Sequence, residues 1–344
     1  VLLLLGTGGA VLLACTLDGQ TSDWDSSARL ADSTAADPTD GVTIRALFGE
    51  IDGDRLCFRI DAALVEDSTT LIASTSELAL SVNSPGSDPA LTGNPRVVTV
   101  TNTGSTTAKG VAVSTSGLPA GTSLTSNTCT GTLAPGASCA LTITPGGTAS
   151  LDVGSTACTT APGTEPVPAT LTVEATNAAA QVDVDIVILG YGCIYQGGYL
   201  FAVDDSTPNT GSIGGKVAAL TDEASVRWAT VLDDTAADSL TDGASNTNAL
   251  AAPVGQYPAA QACLNKNDQG FTDWYLPSVC ELGRYMGVGS DAGCGASNPN
   301  LYTSLHTNGL GGFAANLWGS TENGAAPGLQ AGVHGFPGGS QAPD

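Results

Sequence analysis

Positive charge is scarce in this chain. Ten Lys and Arg stand against 33 Asp and Glu, a formal net charge of −23, and neither basic residue occurs after Arg284. Such a surface repels DNA, RNA and anionic lipid, which argues against nucleic-acid partners and polybasic membrane docking. Only two histidines occur, His306 and His334, so any two-histidine metal centre or relay would have to use that pair. There is no C-x-x-C, which argues against a structural zinc site or a thioredoxin-type redox pair. G-x-S-x-G, H-E-x-x-H, P-loop and G-x-G-x-x-G patterns are missing as well. No catalytic residue, metal ligand or cofactor is therefore expected. Aromatics at 5% and charged residues at 12% are both low, while Gly alone numbers 44. Small residues with β-branched runs describe a secreted, β-rich protein, and 344 residues leave room for two or three domains.

The first thirteen residues, VLLLLGTGGAVLL, form an apolar run. It would span roughly 20 Å as a helix, too short for a bilayer core of about 30 Å but suited to a secretory signal. The run closes on Leu12-Leu13-Ala14-Cys15, which resembles a bacterial lipobox. That resemblance implies cleavage before Cys15, lipidation of its thiol and, with Thr16 following rather than Asp, an outer-membrane, surface-exposed location. With no Met ahead of it, the signal of residues 1–15 reads as incomplete. Residues 16–41, rich in Ser, Thr, Ala, Asp and Gly, read as a disordered tether. Residues 42–75 read as a small β segment, with two strands joined at Asp52-Gly53-Asp54. That acidic turn lacks the later ligands of a calcium loop.

Alternating apolar and polar residues mark strands at Leu78–Val82, Arg96–Asn102, Val111–Thr115, Ala140–Thr144, Ala169–Glu174 and Val182–Leu189. Turn residues bound each one at intervals near ten, which predicts a β-sandwich over residues 76–190. Asp183 and Asp185, two apart, belong to its solvated face. The stretch from Val98 to Ile143 resembles the immunoglobulin-like repeats of bacterial surface proteins, which implies a stalk. Cys129 and Cys139 flank the turn Leu133-Ala134-Pro135-Gly136 and are expected to bond across a hairpin.

Three of the four Trp lie in residues 191–344. Ala259–Asn267 has helical spacing, and Ser278-x-x-Glu281 is a capping box predicting a helix through Leu282, Tyr285 and Met286 that stops at Gly287. The pattern Asp273-Trp274-x-Leu276-Pro277-Ser278-x-x-Glu281-Leu282, followed by Leu317-Trp318-Gly319-Ser320-Thr321-Glu322, resembles the C-terminal domain of the collagen-like bacterial adhesin Lcl. The resemblance implies a C-type-lectin-like α+β fold. The fold class expected is thus mainly β: an immunoglobulin-like sandwich followed by a C-type-lectin-like domain. Family members carry Ser where Gly319 stands and Trp where Gly332 stands. They close with a Cys-bearing strand beyond the position of Asp344, which implies a C-terminal truncation here and an unpartnered Cys263. Cys280 and Cys294 bracket a short Gly-rich loop and could pair.

The resemblance places a ligand-facing segment from Trp318 onward. The candidate binding residues are Trp318, Glu322, Asn323, Gly324, Ala325, Pro327, Leu329, Gln330, Gly332, His334 and Phe336. From Asn323 to Asp344, thirteen of 22 residues are Gly, Ala or Pro. That bias suits a loop region diversified by a retroelement, a frequent partner of this domain family. Trp274, Leu276 and Pro277 are expected in the scaffold, with Trp274→Ala unfolding the domain and changes over Asn323–Phe336 altering ligand choice alone. The function expected is a lipid-anchored, surface-displayed adhesin or receptor for a protein or glycan on another cell, phage or host. The alternatives are an oxidoreductase like the formylglycine-generating enzymes, which would need reactive thiols or copper, and a non-binding structural envelope protein.

Overall fold

The computed structural model describes residues 69–223, 225–231, 233–252, 255–283, 294, 298–322 and 331–336, together with the backbone of several further strands. Cys15, Tyr285, Met286 and residues 323–330 lie outside the described residues. Upstream, Leu2–Leu5 pairs with Gly9–Leu12, and Val42–Asp52 pairs with Arg55–Leu64; Gly53 and Asp54 of the expected turn lie outside the described residues. Arg29–Asp32, inside the stretch expected to be a disordered tether, adds a third strand to that pair, a short exception to the tether.

Two antiparallel-rich sheets follow, and the chain is mainly β. One sheet runs in the order Ser123–Asn127, Ser138–Thr144, Arg96–Asn102, Leu71–Ala73. The other runs Gly131–Leu133, Ala108–Ser116, Ala169–Glu174, Val182–Leu189, Glu77–Ser81, the last pair being parallel. Strict alternation turns Val98, Val100, Leu141 and Ile143 of one sheet, and Leu171, Val173, Val184 and Ile186 of the other, into one shared core. Asp183 and Asp185 face outward. Six strands fall where alternation places them. Leu71–Ala73 belongs to this sheet rather than to the small upstream segment expected to end at residue 75. Ser123–Asn127 has no buried residue and therefore no alternation to read.

The core continues without a break past Leu189 into Leu200, Phe201, Leu310 and Phe336. Here a three-stranded sheet orders Ile194–Tyr195, Gly198–Asp204 and Gly214–Ala219. A second orders Asn316–Glu322, Ala331–Gly335 and Ser340–Pro343. Four short helices pack around them: α1 (Gly243–Ala251), α2 (Pro258–Leu264), α3 (Val279–Leu282) and α4 (Leu301–Ser304). Both sides of the Ser278–Glu281 capping box are formed, but α3 is a single turn rather than the longer helix expected. Gly283 is extended, and a β-carbon there would lie 2.3 Å from the His334 ring, so only glycine fits beside that packed side chain.

Three disulfides lie among the described residues. Cys129–Cys139 and Cys280–Cys294 join the pairs that their spacing suggests, and Cys158–Cys193 ties the connection after Ser138–Thr144 to the start of the next sheet. Cys263 is free.

Candidate binding cavity

Tyr275 and Glu281 show how the local sequence builds the site. Pro277 ends the extended segment before α3, and Ser278 starts the helix, which brings the Glu281 carboxylate back over the turn. Its Oε2 accepts from Ser278 N–H (2.8 Å), Ser278 Oγ (3.0 Å) and the Gly243 N–H at the start of α1 (3.0 Å). Its Oε1 accepts from Tyr275 Oη (2.8 Å) and pairs with Lys216 Nζ. A buried carboxylate with this many donors fixes α1, α3 and the Gly214–Ala219 strand to one another. Burial and the Glu281 charge push the Tyr275 hydroxyl far up, so it remains a donor.

Above this anchor lies a cavity of about 910 Å³. Its floor is residues 212–219, and its walls carry Tyr195, Phe271, Trp274, Tyr275, Phe313 and Trp318. Trp274 is half-buried: its Nε1 donates to Phe271 O (3.0 Å), and Lys266 Nζ stands 5.7 Å from the ring centre. Lys266 also pairs with Glu223 (2.6 Å) and Asp268 (3.0 Å), and the Glu223 hydrogen bond leads the causes that raise its pKa. Trp318 Nε1 donates to Val226 O (3.3 Å), which leaves a flat aromatic wall with its polar edge satisfied. Cys263 borders the same space, its thiol pushed up to about 11 chiefly by burial and so held as a thiol at neutral pH. Cavities of this size, mostly apolar with a few fixed polar groups, are the usual shape of a ligand site.

Of the residues expected to face ligand, Trp318 lines this cavity, and the structure corrects several others. His334 and Phe336 have no exposed surface. His334 packs 4.8 Å from the Phe336 ring and 5.2 Å from Tyr302, both ring nitrogens have no hydrogen-bond partner among the described residues, and burial pushes its pKa down to about 4. Phe336 stacks on Phe313 at 5.6 Å. They anchor the last sheet to the core rather than being displayed on a loop, because each is the large residue of an otherwise small-residue stretch. Glu322 is also buried; its Oε2 accepts from Thr235 N–H (3.0 Å) and its N–H donates to Ala237 O (2.9 Å), so it holds the 235–237 loop. Gly332 is half-buried on the strand beside Trp318. Gly319 has a reason to be small: a β-carbon there would sit 3.0 Å from the Gly332 carbonyl oxygen. Asn323, Gly324, Ala325, Pro327, Leu329 and Gln330 lie outside the described residues. Trp274 was expected in the core and instead forms cavity wall; Leu276 is buried as expected.

Sequence reasoning missed Lys216, Lys266, Tyr275 and Phe313, which no spacing connects because they arrive from four separate segments. No group of His, Cys, Asp and Glu suited to a metal ion occurs among the described residues.

No family model matches this sequence, and no curated protein matches it. Among solved structures, the secreted serine protease VesC from Vibrio cholerae is 14% identical with a TM-score of 0.22, over 39% of this chain and 31% of that one. Domains 4–9 of the surface layer protein SbsC are 13% identical with a TM-score of 0.27, over 54% of this chain and 27% of that one. The matched region spans about a third or less of either structure, and likenesses this weak define neither fold nor activity.

Proposed function

We propose that the protein is a lipid-anchored, surface-displayed binding protein of adhesin or receptor type. Cys15 carries the anchor, an immunoglobulin-like sandwich forms the stalk, and a C-type-lectin-like head binds a protein or glycan on another cell, phage or host. The observation that carries this reading is the 910 Å³ cavity walled by Trp318 and other aromatic side chains with their polar edges satisfied. Retroelement diversification, in this reading, acts on residues 323–330 and Gly332, because changing His334 or Phe336 would disturb the core. Free thiols at Cys280 and Cys294 would favour the oxidoreductase alternative, and these two are bonded to each other. The envelope-protein alternative gives the cavity no role.

The test uses purified full chain applied to intact candidate host cells and phage particles, wild type beside Trp318→Ala. The expected result is retention on one of these surfaces, reduced about tenfold or more by the substitution, as for an aromatic anchor in a binding site. Equal retention of both proteins contradicts the reading. In cells, Cys15→Ser should move the protein out of the detergent phase; an unchanged partition contradicts the anchor.

A further inference from the structure

Gly214–Ala219 is an open sheet edge. Its sheet continues on one side into Gly198–Asp204, and no strand pairs with the other side among the described residues. The register shows which groups point outward. Leu200 donates its N–H to Cys193 O (3.0 Å), and its carbonyl accepts from Gly192 N–H (2.9 Å). Both of its backbone groups therefore face away from Gly214–Ala219. Leu200 lies opposite Val217, so this is a non-hydrogen-bonded antiparallel pair, and the N–H and C=O of Val217 point to the open side. Alternation turns the same groups of Gly215 and Ala219 that way. None of these outward groups has a hydrogen-bond partner among the described residues. An exposed edge of this kind is a template for another strand.

The edge faces a prepared space. Residues 212–219 all line the cavity, with Trp274, Tyr275 and Trp318 on its walls. The edge strand is six residues, about 20 Å at the rise of a β-strand. Charge within the cavity is one-sided. Lys216 is paired with Glu281, and Lys266 with Glu223 and Asp268. The other charged lining residues, Glu77, Asp222 and Asp273, are exposed carboxylates with no ion pair among the described residues.

We propose that this cavity takes an extended, basic polypeptide segment of a partner protein, added as a strand along Gly214–Ala219. Alternate side chains of the segment supply apolar groups to the aromatic wall and Lys or Arg to Glu77, Asp222 and Asp273. Main-chain hydrogen bonds give such strand addition its affinity, and the flanking pockets give it sequence preference. The proposal rests on the cavity being the binding site and specifies the chemical class of its ligand.

A phage-displayed library of linear dodecapeptides, panned on the full chain, supplies the probe. The best binders are then synthesised plain and with N-methylated backbones at alternate residues. The enriched sequences should alternate apolar and basic residues. Plain peptide should slow amide exchange at Val217 and Ala219 by about tenfold or more. N-methylation of one alternate set should weaken binding by at least about tenfold, while methylation of the other set leaves it unchanged. A library that yields no binder, a binder that leaves those two amides unprotected, or equal effects of the two methylated sets overturns the proposal. If cell retention still depends on Trp318 in such a case, the ligand class alone falls. If Trp318→Ala leaves retention unchanged, the cavity reading itself falls.

Discussion

His334 is held between the rings of Tyr302 and Phe336 and against the Gly283 backbone, with His306 as the nearby titratable neighbour. With no acceptor for either ring nitrogen among the described residues, the cationic form is penalised in the fold, and burial lowers the pKa to about 4 from its ordinary value near 6.5. The unfolded chain takes up this proton as pH falls below 6.5, whereas the folded chain takes it up only near 4. Stability is therefore fully present above pH 6.5 and is lost progressively as pH falls toward 4. The melting temperature of the full chain should drop across that window, and His334→Leu should flatten the drop. Identical pH profiles for the two proteins would contradict the assignment. Sequence reasoning placed this residue on a ligand-facing loop because its neighbours are Gly, Ala and Val: composition suggested a displayed loop, while the one polar ring among them is packing material.

At the scale of elements, much was legible. Strict alternation in Arg96–Asn102 or Ala169–Glu174 is a direct record of one face meeting a core. Ser123–Asn127 left no such record, because only Leu124 of its side chains packs, and partly, against the core. The start of α3 was legible from Ser278 and Glu281, but its end was not: Gly283 is extended, and its contact with the His334 ring, more than fifty residues away, leaves no local pattern. Glu281 does more than cap: it joins α1, α3, Tyr275 and Lys216. Glu281→Gln keeps one acceptor and turns its amide hydrogens toward groups that themselves donate. A loss of about 2–4 kcal/mol is expected in denaturant unfolding. A loss below about 1 kcal/mol would mean the carboxylate acts only as a helix cap.

Across the whole molecule, the sandwich and the region after Leu189 are joined by one continuous core rather than tethered. Arg96, 1% exposed, sends its guanidinium from the sandwich into the loop after Gly198–Asp204. There it donates to Thr207 Oγ1 (2.7 Å) and to the carbonyls of Pro208 (2.9 Å) and Gly211 (3.1 Å), and it pairs with Asp205 (3.2 Å). The other Asp205 oxygen accepts from Ser81 and Thr92, both at 2.6 Å. Cys158–Cys193 adds a covalent clip across 35 residues. Neither link follows a local pattern, which is why the sequence suggests a simple boundary at residue 190. Arg96→Met strands Asp205 and should cost at least about 3 kcal/mol. Replacing both Cys158 and Cys193 with Ser should cost about 4 kcal/mol by loop-closure entropy. With the core continuous, calorimetry of either variant should show the sandwich and the region after Leu189 melting in one transition; two separated transitions would contradict the joined arrangement. The central claim is that ligand is met by the cavity wall at Trp318 while Phe336 serves the core. It is tested most directly by measuring, on the same preparations, melting temperature and retention on the target surface for Trp318→Ala and Phe336→Ala. The account predicts that Trp318→Ala loses retention with only a small drop in melting temperature, and that Phe336→Ala is destabilised by about 3–5 kcal/mol. A Phe336→Ala protein that melts normally but changes its ligand, beside a Trp318→Ala protein that binds as before, would contradict it.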